Sequence, residues 1–108
     1  MSPIDDERQT RLAKNEDFFR KANEMVAGES MFDGECDLIC ECSARGCMVR
    51  ISLTRSEYEH VRARGDRFVV FPGHENLEVE IVVESNPQFR IVEKRGRAGI
   101  VARAEDPR

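Results

Sequence analysis

The chain has 108 residues, of which 40% are hydrophobic and 35% charged, and its formal net charge is -4. This length suits a single domain with one small core. No window approaches the roughly 20 apolar residues of a membrane span, and the N-terminus runs into charged residues without an apolar signal region, so we expect a cytoplasmic protein. The acidic balance disfavours broad electrostatic capture of nucleic acid or of a membrane surface.

An amphipathic helix is the first predicted element. From Asp5 to Ala27, apolar side chains return to one face at the helical period. These residues are Leu12, Phe18, Phe19, Ala22, Met25 and Val26. Asp5 or Asp6 can cap the start, and Gly28 can end the helix. We expect the apolar face to cover a sheet, rather than to bind a partner, because a short chain has little other apolar material. A linker follows over residues 29–35.

A β-hairpin and a short helix are predicted next. Residues 37–43 and 47–54 are rich in Ile, Leu, Val and Cys, and a turn signal at 44–46 separates them. The helix is expected to run through Arg64, where Gly65 ends it. Either Thr54 or Ser56 can cap this helix, and the segment from Ser56 to Glu59 matches a capping box.

The remaining strands are predicted from β-branched and aromatic content. Residues 67–71 form one strand, and the Pro-Gly pair that follows places His74 in its exit loop. Residues 77–84 and 89–94, joined by a turn, form a second hairpin. The tail from Gly96 forms one more short element or docks on the sheet.

The four cysteines indicate a site. A reducing cytosol disfavours disulfides, so their spacing points first to metal binding or thiol chemistry. Cys40, Cys42 and Cys47 form a C-x-C-x4-C pattern across the predicted turn. Residues two apart in a strand share a face, so Cys40 and Cys42 present two sulfurs together and the turn returns Cys47 against them. Three convergent thiols favour a structural zinc site, which needs a fourth ligand.

Three residues compete for the fourth position. His74 ranks first because a rigid turn can aim its imidazole at the hairpin. Cys36 ranks second, since an extended strand places it about 13 Å from Cys40. His60 ranks third, on a helical face shared with solvent. Two other interpretations of the cysteines stay open, namely reduced thiols packed in the core and a redox switch.

Several motifs resemble a family of small, mostly actinobacterial, uncharacterised proteins. The motifs are CECSARGC (40–47), SEYEHVRA (56–63), RFVVFPGH (67–74), VVES (82–85) and IVEKRGRAGIVAR (91–103). Members typically read C-E-C-x4-C, then E-Y-E-x-V-R, then P-G-H. The resemblance implies that Cys40, Cys42, Cys47 and His74 form one constellation and that Cys36 is peculiar to this chain. The resemblance gives no indication of an activity.

Catalysis is disfavoured by the predicted ligand set. Three sulfurs and His74 close the coordination sphere, whereas a catalytic zinc keeps an open position. Glu41 lies between two of the cysteines and is expected to point to the opposite strand face. The sequence contains no zinc-deaminase, Walker or dinucleotide-binding motif. A nucleophilic pair of Cys47 and His74 is conceivable, but four similar thiols single out no nucleophile.

Charge is unevenly distributed along the chain. Residues 1–35 carry five basic and nine acidic groups, and residues 73–87 carry four acidic groups and no basic one. The last 21 residues reverse the sign, with six basic and three acidic groups. This basic end could contact nucleic acid, although it lacks the interleaved aromatic residues of a stacking surface. A solvated surface with internal ion pairs is favoured.

Together these features predict a small α+β domain. An N-terminal amphipathic helix and a short helix pack on a small antiparallel sheet with a zinc-stapled hairpin; residues 1–35 supply the helix and linker, and residues 36–108 the zinc-binding part. The expected function is a non-catalytic structural-zinc module for interaction or regulation, with another protein as partner and no membrane. The alternatives are a zinc-thiolate redox sensor and a nucleic-acid accessory protein that uses the basic C-terminal face.

Overall fold

The computed structural model describes residues 3–28, 34–42, 44 and 47–108. The elements in these ranges are α1 (Pro3–Gly28), β1 (Glu35–Ile39), β2 (Arg50–Thr54), α2 (Arg55–Val61), β3 (Arg67–Val70), β4 (Glu80–Ser85), β5 (Arg90–Lys94) and α3 (Gly96–Ala104). All strand pairs are antiparallel, in one sheet of order β1-β2 and another of order β3-β5-β4. The predicted α+β class is therefore confirmed. Within the described ranges, no helix has the length and apolar character needed to cross a membrane.

Helix α1 buries a polar face and exposes an apolar one. Its buried side chains include a stripe at helical spacing, formed by Glu16, Arg20, Asn23 and Ala27. By contrast, Phe18 and Met25 are 70% and 69% exposed. The helix forms over the predicted range, but the expectation that these apolar side chains cover the sheet is wrong.

Arg20 shows why polar residues hold this interface. Its guanidinium donates to the Asp17 carboxylate at 2.6 Å and to the carbonyl oxygens of Gly65 and Ala102 at 2.6 and 2.9 Å. It also lies 4.5 Å from the centroid of the Phe68 ring. These partners offset the cost of removing a charged group from water. One buried side chain thus joins α1 to α3 and to the turn after α2.

Strands β1 and β2 pair antiparallel, as the predicted hairpin requires, but they are shorter than predicted. Their register runs from Glu35 opposite Thr54 to Ile39 opposite Arg50. All three cysteines of the C-x-C-x4-C pattern therefore lie in the connection between the strands, not within them. Glu35 already belongs to β1, whereas the predicted linker at 29–33 and the turn residues 45–46 lie outside the described residues.

Helix α2 begins at a capping box directly after β2. The Oγ1 atom of Thr54 accepts from the Glu57 amide at 3.1 Å, and the Glu57 carboxylate accepts from the Thr54 amide at 2.8 Å. Of the two predicted caps, Thr54 is the one used, and the predicted box from Ser56 to Glu59 is wrong. Strand β2 leads directly into α2, so the first of the two overlapping capping-box segments forms the cap.

Strand β5 lies at the centre of the second sheet, between β3 and β4. Strand β4 begins at Glu80, later than predicted, because residues 77–79 form a turn. Between Val82 and Glu84 the register shifts through a β-bulge. The C-terminal tail forms α3, which packs against α1.

One hydrophobic cluster joins both sheets and α2. It includes Leu38, Leu53, Tyr58, Val61, Phe68, Val69, Val70, Ile91 and Val92. Cys40 and Cys42 belong to the same cluster, and Cys47 packs against it while half-buried. The core therefore anchors the segment that carries the cysteines.

Candidate metal centre

Four donor side chains meet where the β1–β2 connection approaches the loop after β3. The ligand atoms of Cys40, Cys42, Cys47 and His74 all lie within 4.8 Å of one another. The first two residues are buried and the other two are half-buried. The structure thus brings together the four residues predicted from the sequence, and they form a group able to hold a metal ion.

His74 faces the cysteines through its Nδ1 atom. This nitrogen lies 3.7 Å from Cys40 Sγ and 3.6 Å from Cys47 Sγ. The His74 amide donates to the Phe71 carbonyl at 2.9 Å, which closes a turn through Gly73. Gly73 has a φ of 93°, a value that other residues rarely adopt. The Pro-Gly pair therefore places the imidazole as predicted.

Backbone hydrogen bonds hold Cys40 and its neighbour in position. The Cys40 amide donates to the Val49 carbonyl at 2.8 Å, which continues the β1–β2 pairing. The Glu41 amide donates to the Val69 carbonyl at 2.8 Å and so joins the two sheets. The Phe71 amide donates to Cys40 Sγ at 3.2 Å. Such a donor stabilises the thiolate, which is the form of cysteine that binds metals.

The Glu41 side chain points away from the cysteines on either side of it. Its buried carboxylate accepts from Asn23 Nδ2 at 2.9 Å, from the Tyr58 hydroxyl at 2.7 Å and from the Val69 amide at 3.0 Å. Burial raises the pKa of the Glu41 carboxyl above its usual range. The C-E-C segment thus carries sulfurs on one side and an anchor to α1, α2 and β3 on the other. Strand alternation predicted the direction of this side chain but not its partners.

The two buried thiols are electrostatically coupled. Their mutual hydrogen bond raises the pKa of Cys40 and lowers the pKa of Cys42. Burial raises the pKa of Cys40 further because it disfavours the charged form of the thiol, and the adjacent Cys42 raises it because two neighbouring negative charges repel each other. Without a metal, two adjacent thiolates at Cys40 and Cys42 are therefore disfavoured. A bound cation removes this constraint, since it stabilises every thiolate that ligates it.

The two other candidate ligands lie elsewhere. Cys36 is buried in β1, and its Sγ lies 3.9 Å from the Gly34 carbonyl oxygen. His60 is on α2, where its Nε2 lies 2.8 Å from a carboxylate oxygen of Glu84. Among the described residues, neither belongs to the group that could hold a metal ion. The positions of both residues therefore agree with ranking them below His74 as the fourth ligand.

Acidic partners accompany five of the six basic residues of the C-terminal segment. The ion pairs are Arg90–Glu75, Arg95–Glu93, Arg103–Asp66 and Arg108–Glu59, together with Lys94, which contacts both Glu16 and Glu80. These ion pairs are of the kind expected for a solvated surface on which basic and acidic residues pair with each other. They also reduce the positive charge that this segment offers to a nucleic acid.

Comparisons of the chain with protein-family models, with curated proteins and with solved structures found no match in any of the three. The resemblance to a mostly actinobacterial family therefore stays a prediction. The metal-binding interpretation rests on the identity of the donor atoms and on their positions.

Proposed function

We propose that this protein is a small, non-catalytic structural-zinc module of the cytoplasm that presents an interaction or regulatory surface to another protein. The observation that carries the proposal is the set of three thiols and one imidazole within 4.8 Å. Four protein ligands complete the tetrahedral sphere of zinc and leave no position for a substrate. Three sulfurs and a nitrogen are also donors that zinc prefers over magnesium or calcium.

The distances around His74 support a tetrahedral ion. Zinc bonds of about 2.3 Å to sulfur and about 2.0 Å to nitrogen, at the tetrahedral angle, require a sulfur–nitrogen separation of about 3.5 Å. The separations from Nδ1 to the sulfurs of Cys40 and Cys47 are 3.7 and 3.6 Å. Two edges of the tetrahedron are therefore already present. The widest separation, 4.8 Å, needs to shorten by about 1 Å, which a side-chain rotation can supply.

The placement of the ligands supports a structural role for the ion. Three ligands lie between β1 and β2, and the fourth follows β3, in the other sheet. Cys40 and His74 are 34 residues apart in the chain. An ion that joins them closes a long loop and adds folding free energy, which a domain with a small core needs.

Native mass spectrometry of protein purified without added metal tests the stoichiometry. We expect one zinc ion per chain. Cys40→Ser and His74→Ala should both reduce zinc retention, whereas the matched control Cys36→Ser, which also alters a buried thiol, should keep it. A folded and reduced protein with almost no zinc would overturn the proposal. Zinc loss in Cys36→Ser but not in His74→Ala would mean that the fourth ligand is wrongly chosen.

Chelation separates a structural ion from an incidental one. Free zinc at about a thousand times its dissociation constant should stabilise the native state by about 4 kcal/mol. Urea unfolding with zinc and with a chelator measures this difference. An unchanged unfolding midpoint would contradict the structural role, even where zinc binds.

A zinc-thiolate redox sensor is the second candidate function. It is favoured because Cys47 is half-buried, so one ligand sulfur is accessible to solvent while its neighbours Cys40 and Cys42 are buried. Peroxide should then release the zinc, and reductant with added zinc should restore the complex. Zinc that stays bound in peroxide would exclude this candidate.

A further inference from the structure

Cys47 differs in exposure from the other two cysteines of the candidate metal centre. It is half-buried, whereas Cys40 and Cys42 are buried. The three sulfur atoms nevertheless lie within 4.8 Å of one another. An oxidant in solution therefore reaches the Cys47 sulfur first, and the sulfenic acid that forms there has two thiols beside it. The backbone positions decide which of these two thiols can close a disulfide with Cys47.

The pairing of β1 with β2 favours Cys42 as that partner. The register continues one step beyond the two strands, where the Cys40 amide donates to the Val49 carbonyl at 2.8 Å. Two residues further along each segment, the same register places Cys42 opposite Cys47. Directly opposite residues have Cα atoms about 4.5 to 5.5 Å apart, which is within the range of about 4.4 to 6.8 Å that a disulfide spans.

The two other pairs fit a disulfide less well. In this register Cys40 is a diagonal neighbour of Cys47, and diagonal neighbours are about 7 to 8 Å apart, too far for a bridge without backbone movement. Cys40 and Cys42 are two residues apart, which corresponds to roughly 6.6 Å in an extended segment and is close to the upper limit. The Phe71 amide also donates to Cys40 Sγ at 3.2 Å and so holds this sulfur in place.

We propose that Cys47 is an oxidation site for hydroperoxides and that Cys42 resolves the oxidised sulfur as a disulfide, while Cys40 stays reduced. When the Cys47 sulfur attacks the peroxide, an S–O bond forms, the O–O bond breaks, and the leaving hydroxide takes a proton to become water. The Cys42 thiolate then attacks the sulfenic sulfur, so that an S–S bond forms, the S–O bond breaks, and a second hydroxide leaves as water. The two sulfurs together lose two electrons, and one molecule of hydrogen peroxide is reduced to two of water.

The disulfide removes two of the four donors from the candidate metal centre. This consequence rests on the proposed zinc module and deepens its redox candidate, whereas the pairing itself rests only on the positions of the cysteines. Cys40 and His74 remain, and two ligands are too few for a structural zinc ion, which takes four. Oxidation therefore keeps β1 and β2 linked to each other but releases their connection from the loop after β3.

Peptide mapping of the full chain as purified tests the pairing. Zinc content is measured first by native mass spectrometry; hydrogen peroxide is then added, and the remaining thiols are alkylated. Trypsin cleaves after Arg45 and Arg50, so Cys47 is released on the peptide 46–50. We expect this peptide to be linked to Cys42, with Cys40 alkylated. A link to Cys40, or a peptide 46–50 without any link, would overturn the proposal. A zinc-free chain that forms the expected link would contradict the zinc module alone.

Matched serine variants separate the roles of the cysteines. In Cys42→Ser the oxidised Cys47 has no resolving thiol, so the link should be lost and dimedone, which traps sulfenic acids, should label Cys47. Cys40→Ser should form the same link as the wild type, and so should Cys36→Ser, the control. Dimedone on Cys40 instead of Cys47, or loss of the link in Cys40→Ser, would refute the assignment. Because the mapping uses the wild-type chain, it remains decisive if a variant folds poorly.

Discussion

The metal centre and the charged cluster of Glu16, Glu80 and Lys94 are two buried polar sites that are built in different ways. The candidate metal centre consists of three thiols and an imidazole on two loops, and these donors could hold an added ion. The charged cluster contains its own cation, since the fully buried Lys94 contacts both carboxylates, which come from α1 and β4. The comparison shows that this small protein uses polar contacts, as well as an apolar core, to hold its elements together.

The charged cluster carries an imbalance of charge. One ammonium faces two carboxylates, and burial raises the pKa of Glu16 to about 8. Below that pH, Glu16 keeps its proton and the remaining charges of the cluster balance. At higher pH the cluster gains a buried negative charge, which costs stability.

The largest expected effect comes from removing the cation of the charged cluster. At neutral pH, Lys94→Met leaves the Glu80 carboxylate buried without its counter-charge, and the free energy of unfolding should fall by about 3 to 5 kcal/mol. Urea denaturation measures this change. Adding Glu16→Gln and Glu80→Gln should recover part of the loss, because no charge then remains to be buried.

Lys21→Met provides the matched control for this variant. Lys21 is half-exposed and pairs with Asp17 at 2.9 Å, so its replacement should cost less than about 1 kcal/mol. If Lys94→Met were as stable as this control, the cluster would not hold α1 to the sheet.

A smaller effect concerns pH. The folded-state pKa of Glu16, about 8, lies above its unfolded value, so the folded protein keeps a proton that the unfolded chain releases. This contribution to stability is complete at acidic pH and is lost as the pH rises through about 8, on the order of 1 kcal/mol per pH unit at most. Zinc binding has the opposite dependence, because thiols release protons to the solvent when they ligate.

Glu16→Gln isolates the carboxyl contribution. In zinc-free protein, urea midpoints measured from acidic pH to about 8 should fall less in this variant than in the wild type. Glu78→Gln, at an exposed position, should follow the wild type. Parallel curves for all three proteins would show that Glu16 titrates normally.

The smallest expected effect compares the two faces of α1. Asn23 Nδ2 donates to the Ile39 carbonyl at 2.7 Å and to Glu41, and Asn23→Ala should cost about 1 to 3 kcal/mol. Phe18→Ser, on the exposed face, should change stability by no more than about 0.5 kcal/mol. Thermal or urea unfolding measures both. A larger loss in Phe18→Ser would contradict the buried polar face.

The candidate site was predictable from the sequence because few residue types bind soft metals. Cys40, Cys42 and Cys47 are close in the chain, and the Pro-Gly pair before His74 has a strong local conformational preference. Local rules were sufficient to propose the group, even though all three cysteines lie between β1 and β2 and not within these strands.

The packing of α1 was not predictable by the same rules. Periodicity assumes that apolar residues face the core, yet Arg20 and Asn23 find partners at Ala102 and Ile39, which only the tertiary fold brings near. The cap of α2 illustrates a second limit. Two overlapping segments, 54–57 and 56–59, both match the capping-box pattern, and the end of β2 selects between them.

The side chain of Glu41 connects the candidate metal centre to α1. This residue lies between two ligand cysteines, and its carboxylate accepts a hydrogen bond from Asn23. Coupled equilibria are reciprocal. If a bound ion strengthens the attachment of α1, then the attached helix raises the affinity for the ion by the same factor. Under the proposed zinc module, a displacement of α1 that broke the hydrogen bond between Asn23 and Glu41 would therefore weaken the hold on the metal without touching any ligand.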